Sequence, residues 1–195
     1  MIQAAIPRSL EVAWLTFLAF WLVAGLFASR AVKRQSWWGR ALTVLLGAVP
    51  FYLLFTDELR YGPLSWRLVP SESSALVAGV ALTYVGIALA IWARIVLGRN
   101  WSGTVTIKQG HRLIRSGPYS VVRHPIYSGL LLAVLGTAVV VGEVRGLVAV
   151  TVAFLMWLVK SRTEERFLAE QFTQEYEEYR PADMGARAVH PVNRP

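Results

Sequence analysis

Five apolar stretches dominate this chain, and they decide what it can fold into. They run from Val12 to Ala28, Ala41 to Thr56, Ser73 to Ala93, Pro125 to Gly142 and Gly146 to Val159. Inside lipid, every backbone N–H and C=O must find its partner within the protein, so apolar runs of this kind read as membrane-crossing helices. Only 16% of residues are charged and 55% are hydrophobic, against about a quarter charged in a soluble domain. The fold class expected is therefore all-α: an integral membrane bundle of about five transmembrane helices. The second and fifth stretches fall short of the ~20 residues that a span needs. Trp37 and Trp38 extend the second as an interfacial belt. Arg145 and Lys160 flank the fifth and are expected to snorkel to the headgroups, with a re-entrant fifth segment as the alternative.

Loop charge gives the orientation. Residues 30–40 carry four basic residues and no acid (Arg30, Lys33, Arg34, Arg40). Residues 57–72 carry two basic residues and three acids, and residues 94–124 carry six basic residues and no acid. Strongly positive loops thus alternate with a weakly charged one. By the positive-inside rule, the N-terminus lies outside and the C-terminus in the cytoplasm. The first stretch is followed, not led, by its basic residues, which marks a retained helix rather than a cleaved signal. The whole chain, 1–195, reads as a single membrane domain. Residues 1–93 form its N-terminal spans, 94–180 a half that carries chemistry, and 181–195 a tail.

Several function classes fall away. There is no cysteine, hence no disulfide, thiolate nucleophile or cysteine-ligated metal. His111, His124 and His190 lack metal-ligand spacing, so no metal site is expected. The net charge of +8 fits positive-inside bias better than nucleic-acid binding, because no nucleic-acid fold motif accompanies it.

Two polar clusters stand out against this apolar background. Arg123-His124-Pro125-Ile126-Tyr127-Ser128-Gly129 opens the fourth stretch. Arg162-Thr163-Glu164-Glu165-Arg166 follows the fifth. Ionisable groups at the mouth of a membrane helix are functional candidates by default, and these two clusters bracket one helical pair, so they are expected to meet at one membrane face. Pro125 suits the first turn of a helix, with His124 at the cap. Arg123 and the positive helix end then favour an anion. Ser161 to Tyr179 reads as a further helix in which Leu168, Phe172, Tyr176 and Tyr179 share a stripe, with Glu165 inside it and Glu164 at its edge. A carboxylate on an apolar face needs a partner. A local ion pair with Lys160, Arg162 or Arg166 is the plain reading; a cationic ligand is the sharper one. A ligand with an amine, a carboxylate and a flat ring uses the whole set. Glu164 and Glu165 take the amine, Arg123 or the Pro125 helix end takes the carboxylate, and Tyr119 and Tyr127 hold the ring. Spacing alone does not choose among such amphoteric ligands.

The run Gly110-His111-Arg112-Leu113-Ile114, Ser116-Gly117-Pro118-Tyr119 and Arg123-His124-Pro125-Ile126-Tyr127-Ser128-Gly129 resembles the isoprenylcysteine carboxyl methyltransferase family. So does Glu164-Glu165 followed by Leu168, Phe172, Tyr176 and Tyr179. These membrane enzymes are related to the phospholipid N-methyltransferases, and the resemblance covers roughly residues 94 to 180. It implies a small helical bundle with a cytoplasmic S-adenosylmethionine pocket built from the C-terminal half. His111, Arg112, Leu113, Ile114, Tyr119, His124, Pro125, Ile126 and Tyr127 would line that pocket, and Glu164 or Glu165 would hold the methionine amine. It also implies a basic residue before the acidic pair that meets substrate: Arg162, with Lys160 the alternative. Arg166 stands where the eukaryotic enzymes continue their acidic run. Arg162 and Arg123 are thus the catalytic candidates.

The activity so implied is methyl transfer to a lipophilic or lipidated acceptor drawn from the bilayer, most simply a prenylcysteine-like carboxylate. Alignment supplies most of the catalysis in such a transfer. A carboxylate acceptor needs no general base; an amine acceptor must lose a proton, with which His124 would assist. The alternatives are a phospholipid or other lipophilic amine N-methyltransferase, a sterol-reductase-like NADPH enzyme with a similar Arg-His-Pro-x-Tyr signature, and a non-enzymatic membrane scaffold. A transporter fits less well, since no charge lies deep within a stretch.

Overall fold

The computed structural model describes residues 7–27, 37–98 and 116–171. Within them lie five α-helices: α1 (Arg8–Leu26), α2 (Trp37–Phe55), α3 (Ser73–Leu97), α4 (Pro125–Val141) and α5 (Val144–Gln171). Short 3₁₀ turns at Gly62–Ser65 and Gly117–Ser120 punctuate the loops. The protein is an all-helical membrane bundle. α1, α3 and the Val144–Arg166 part of α5 are long and apolar enough to cross a membrane; the apolar part of α2 and the whole of α4 are shorter.

Each apolar stretch became a helix; α1 and α2 begin earlier, at Arg8 and Trp37, and α3 and α5 run on beyond their stretches. α3 runs past Ala93 to Leu97 and carries Arg94 in its last turn. α5 does not stop at Val159. It continues without a break through Lys160 and the acidic pair to Gln171, so the fifth stretch is neither re-entrant nor separate from the helix that follows it. Lys, Arg and Glu are good helix formers. A fall in hydropathy therefore marks where a helix leaves lipid, not where it ends.

α4 is the centre of the bundle. It packs along α3 on one side and α5 on the other, while α1 rests on α3 and α2 on α5. Small residues set the α3–α4 distance. Gly79, Thr83, Gly86 and Ala90 face Gly129, Ala133, Gly136 and Val140, four spaced positions on each helix. A methyl group built on Gly129 would lie 2.7 Å from the Gly86 carbonyl oxygen. One built on Gly136 would lie 2.5 Å from the Thr83 nitrogen and 2.6 Å from the Gly79 oxygen. The backbones thus touch, which is how apolar helices associate when lipid offers no hydrophobic gain. Thr83 and Thr137 are fully buried in this seam, their hydroxyl oxygens 3.3 Å apart. Trp14 of α1 reaches into it and donates its indole N–H to the Thr137 hydroxyl at 3.0 Å. Pro50 lies fully buried inside α2, on a helix that continues through it.

Two buried arginines tie the helix ends. Arg94 donates to the carbonyls of Gly98 (2.8 Å) and Ala24 (2.6 Å), near the C-terminal ends of α3 and α1. Arg145 donates to the carbonyls of Leu53 and Thr56 at the end of α2. Cations belong at helix C-termini, where carbonyls lack partners. Arg145 is 4% exposed, so it does not snorkel to the headgroups as its position suggested. Its Nε also donates to Glu143 at 2.7 Å, and Arg60 grips the other oxygen of Glu143 at 2.7 Å. Burial alone would lower the Arg60 pKa; the Glu143 hydrogen bond and charge, with Asp57, outweigh it and raise it. Gly142, in the left-handed conformation with φ 66°, ends α4. Its carbonyl accepts from the N–H groups of Leu68 (2.8 Å) and Val69 (3.2 Å). Residues 57–72 are thereby fastened over the α4–α5 corner.

Candidate active site at the open end of the α4–α5 pair

α4 and α5 are consecutive and packed together, so the start of α4 and the later turns of α5 come to the same end of the bundle. There the two polar clusters meet. Pro125 occupies the first turn of α4 and is fully buried, and His124 is the cap residue with no side-chain capping bond of its own. The His124 ring is left to face α5. Its Nε2 lies 3.1 Å from Glu165 Oε1, and its Nδ1 lies 3.7 Å from Glu164 Oε2. Arg123 donates to the same Glu165 oxygen at 3.0 Å. Tyr127, one turn into α4, donates its hydroxyl to Glu164 Oε1 at 2.5 Å. Its ring lies near-parallel to that of His124, with centroids 5.7 Å apart and planes at 18°. Lys160 holds its ammonium 5.4 Å from the centre of the Tyr127 ring, within cation–π range.

The acids therefore pair across the helices rather than with their own neighbours on α5. Neither is deeply buried: the side chains of Glu164 and Glu165 are 25% and 34% exposed, and Arg123 is 34% exposed. The cluster is a half-open polar mouth, accessible to a ligand and screened on its inner side. Tyr119, Ile126 and Ala93 are buried together beneath it, against Trp21, Leu130 and Tyr127. Tyr119, Pro125 and Ile126 thus back the cluster from inside, while His124, Tyr127, Arg123, Glu164 and Glu165 form its surface.

Arg162 is exposed, and it stands apart from this cluster. It lies one turn before Glu165 on α5, yet its side chain stays in solvent. Lys160 lies one turn before Glu164 and joins the cluster instead. Helical spacing alone does not separate the two, since each lies one turn before one of the acids; the contact of Lys160 with the Tyr127 ring does. His111, Arg112, Leu113 and Ile114 lie outside the described residues, as do Phe172, Tyr176 and Tyr179. The sequence reasoning missed Trp14, Thr83 and Thr137, which brace the other end of the α3–α4 seam. Their signal was faint: single polar residues on otherwise apolar helices.

Chemically, the mouth offers two carboxylates to a cation, a guanidinium and a helix N-terminus to an anion, and aromatic faces between them. Comparison with known proteins agrees with the resemblance carried by the motifs. The chain is 34% identical over 106 residues to a probable protein-S-isoprenylcysteine O-methyltransferase of Oryza sativa subsp. indica, covering 52% of this chain and 54% of the relative. It is 33% identical over 109 residues to protein-S-isoprenylcysteine O-methyltransferase of Saccharomyces cerevisiae, covering 53% and 45%. It is also 35% identical over 102 residues to cobalt-zinc-cadmium resistance protein CzcN of Cupriavidus metallidurans, covering 51% and 44%. The chain spans about half the length of the curated relatives it matches. The family model described as phospholipid methyltransferase matches residues 74–175, which takes in nearly all of α3, the cluster on α4 and the acidic pair on α5. With more than half of its length matched, the chain belongs to the phospholipid methyltransferase family.

Proposed function

We propose that this protein transfers a methyl group from S-adenosylmethionine to the carboxylate of a lipophilic acceptor of the prenylcysteine kind. The observation that carries the reading is the meeting of Glu164 and Glu165 with Arg123, His124 and Tyr127 at one end of the bundle. A methionine terminus presents an ammonium and a carboxylate on adjacent bonds, and this mouth presents the complementary charges side by side. Methyl transfer from a sulfonium needs alignment and dryness rather than a covalent enzyme intermediate. The chain's part is to anchor the donor by its charged end, to hold the acceptor in line and to keep water out. His111 to Ile114 belong to the donor pocket by the same resemblance. The relatives named as isoprenylcysteine O-methyltransferases support an ester product.

Lys160 is the better candidate to meet the acceptor carboxylate, because it lies on the membrane side of the acidic pair with its ammonium against the Tyr127 ring, while Arg162 is exposed. The positive loops support a mouth on the cytoplasmic side, with the N-terminus outside. A donor then arrives from water and an acceptor from the inner leaflet. N-methylation of a lipid amine is the second reading, favoured by the description of the matching family. There the amine must lose a proton before attack, and His124 is placed to take it.

The test uses the full chain in nanodiscs with methyl-labelled S-adenosylmethionine and a panel of prenylcysteine, fatty-acid and phosphatidylethanolamine acceptors. Base-labile label on prenylcysteine is the expected result, with Lys160→Ala raising the acceptor KM more than Arg162→Ala does. Base-stable label on the amine lipid would replace the ester reading with the second one. Folded protein that binds no S-adenosylmethionine would end both.

A further inference from the structure

At the end of the bundle opposite the mouth, a cleft of about 110 Å³ opens between the start of α3 and the last turn of α4. A cofactor-sized ligand needs roughly 300 Å³ or more, so this cleft suits a small polar group instead. Arg67 and Glu72 stand on its polar side, and Leu76, Val139 and Val140 form its apolar side. The backbone on either side of Arg67 is held. The Trp66 carbonyl accepts from the Val144 N–H at 2.9 Å, and the Leu68 N–H donates to the Gly142 carbonyl at 2.8 Å. The guanidinium rests against Gly142, where a methyl group would lie 2.8 Å from an Arg67 nitrogen. Among the described residues, no acid pairs with Arg67 and no base pairs with Glu72.

Two opposite charges that share a cleft without pairing fit a ligand that carries both. A guanidinium can hold a phosphate through two parallel hydrogen bonds. A primary ammonium has three donors to offer a carboxylate. The surroundings put that ligand in the membrane. α3 is long and apolar enough to cross a bilayer, and it begins at Ser73, next to Glu72. The cleft therefore lies at a boundary between water and hydrocarbon. Tyr61 and Trp66 are exposed on the loop that carries Arg67, the side chains that favour such a boundary. Leu76, 38% exposed, continues the apolar side toward the lipid, where an acyl chain can follow it. A soluble phosphate compound has no use for that wall. We propose that this cleft binds a phospholipid with a primary-amine headgroup from the leaflet opposite the mouth, its phosphate on Arg67 and its ammonium on Glu72.

The test is thermal unfolding of the full chain, stripped of lipid in detergent. Phosphatidylethanolamine, phosphatidylcholine or phosphatidylglycerol is then added in mixed micelles, and free phosphoethanolamine in parallel. A ligand that binds only the folded state raises the midpoint. Near a hundredfold its Kd, phosphatidylethanolamine should raise it by about 5 °C or more. The other two lipids should raise it clearly less, and phosphoethanolamine hardly at all. Arg67→Gln should remove most of the shift from every lipid, whereas Glu72→Gln should only bring phosphatidylethanolamine down to the level of phosphatidylcholine. Both side chains are exposed, so the lipid-free midpoints of these variants should stay within about 2 °C of the unaltered protein. Arg67→Lys, which keeps a cation, should keep part of the shift, as a merely damaged loop would not. Equal shifts from all three lipids, unchanged in both variants, would mean ordinary contact with surrounding lipid and overturn the site. A phosphatidylethanolamine shift that survives Arg67→Gln would place that lipid elsewhere, the mouth included. A full shift from free phosphoethanolamine would overturn the lipid in favour of a soluble ligand.

Discussion

At the scale of single residues, the acidic pair divides its work unequally. Glu165 is shared by two cationic or ring donors, whereas Glu164 accepts from the Tyr127 hydroxyl, with the nearer His124 nitrogen at 3.7 Å. A methyl donor's ammonium can therefore be assigned by experiment. Glu164→Gln and Glu165→Gln should each fold, and at least one should weaken S-adenosylmethionine binding by about 1.5–3 kcal/mol, the scale of a hydrogen bond to a charged group. Wild-type affinity in both, measured by calorimetry, would return the pair to a structural role. Much of this cluster was legible in the sequence, since two charged motifs at the ends of consecutive apolar stretches must come to the same face if those stretches pair. Arg145 was not legible. A snorkelling arginine and a buried one look alike until the carbonyls of Leu53 and Thr56 are seen to reach it from a helix some ninety residues away in sequence.

At the scale of helices, the contact between α3 and α4 is the one that leaves no slack. Gly136→Ala puts a methyl group 2.5 Å from the Thr83 nitrogen, on backbone that cannot turn aside. Overpacking of this sort costs about 1–3 kcal/mol, and here it also disturbs the Thr83–Thr137–Trp14 contacts. Gly25 of α1 has no neighbour within 4 Å of the same added atom. Gly25→Ala should thus be neutral or mildly stabilising, by up to about 1 kcal/mol from the higher helix propensity of alanine. Thermal unfolding in detergent should show a lower midpoint for Gly136→Ala and not for Gly25→Ala; equal midpoints would refute the close-contact account. Hydropathy revealed that α3 and α4 exist but not that they touch, because glycine reads as weakly apolar whether it faces lipid or a neighbouring backbone. The helical spacing of Gly79, Gly86, Gly129 and Gly136 was the available signal. The end of α5 was hidden for another reason: the water-exposed part of a long helix keeps its hydrogen bonds but loses its apolar composition.

At the scale of the whole molecule, α1 is held to α3 and α4 through Arg94 and Trp14, and α2 is held to α5 through Arg145. One end of the α4–α5 pair is locked by Glu143, Arg145 and Arg60, and the other carries the half-open mouth. Because the chain has no cysteine, its orientation can be read with single introduced thiols. Ser36→Cys and Gln109→Cys should label only from the cytoplasmic side and Ser65→Cys only from the opposite side; labelling of all three from one side would break the five-span topology. The central helix has a further consequence. α4 has 17 residues, roughly 25 Å at 1.5 Å per residue, and a charged layer closes each of its ends. A typical hydrocarbon core is about 30 Å thick. The two charged layers therefore sit nearer together than the two lipid headgroup planes, and the bilayer must thin around α4 or the mouth must lie below the headgroups. Lipid chain length then becomes a control on the proposed methyl transfer. In vesicles of matched headgroup, turnover should be highest with shorter acyl chains and fall as the chains lengthen, with donor affinity in detergent unaffected. Turnover indifferent to chain length would mean that the outer helices, not α4, set the depth at which the protein rides.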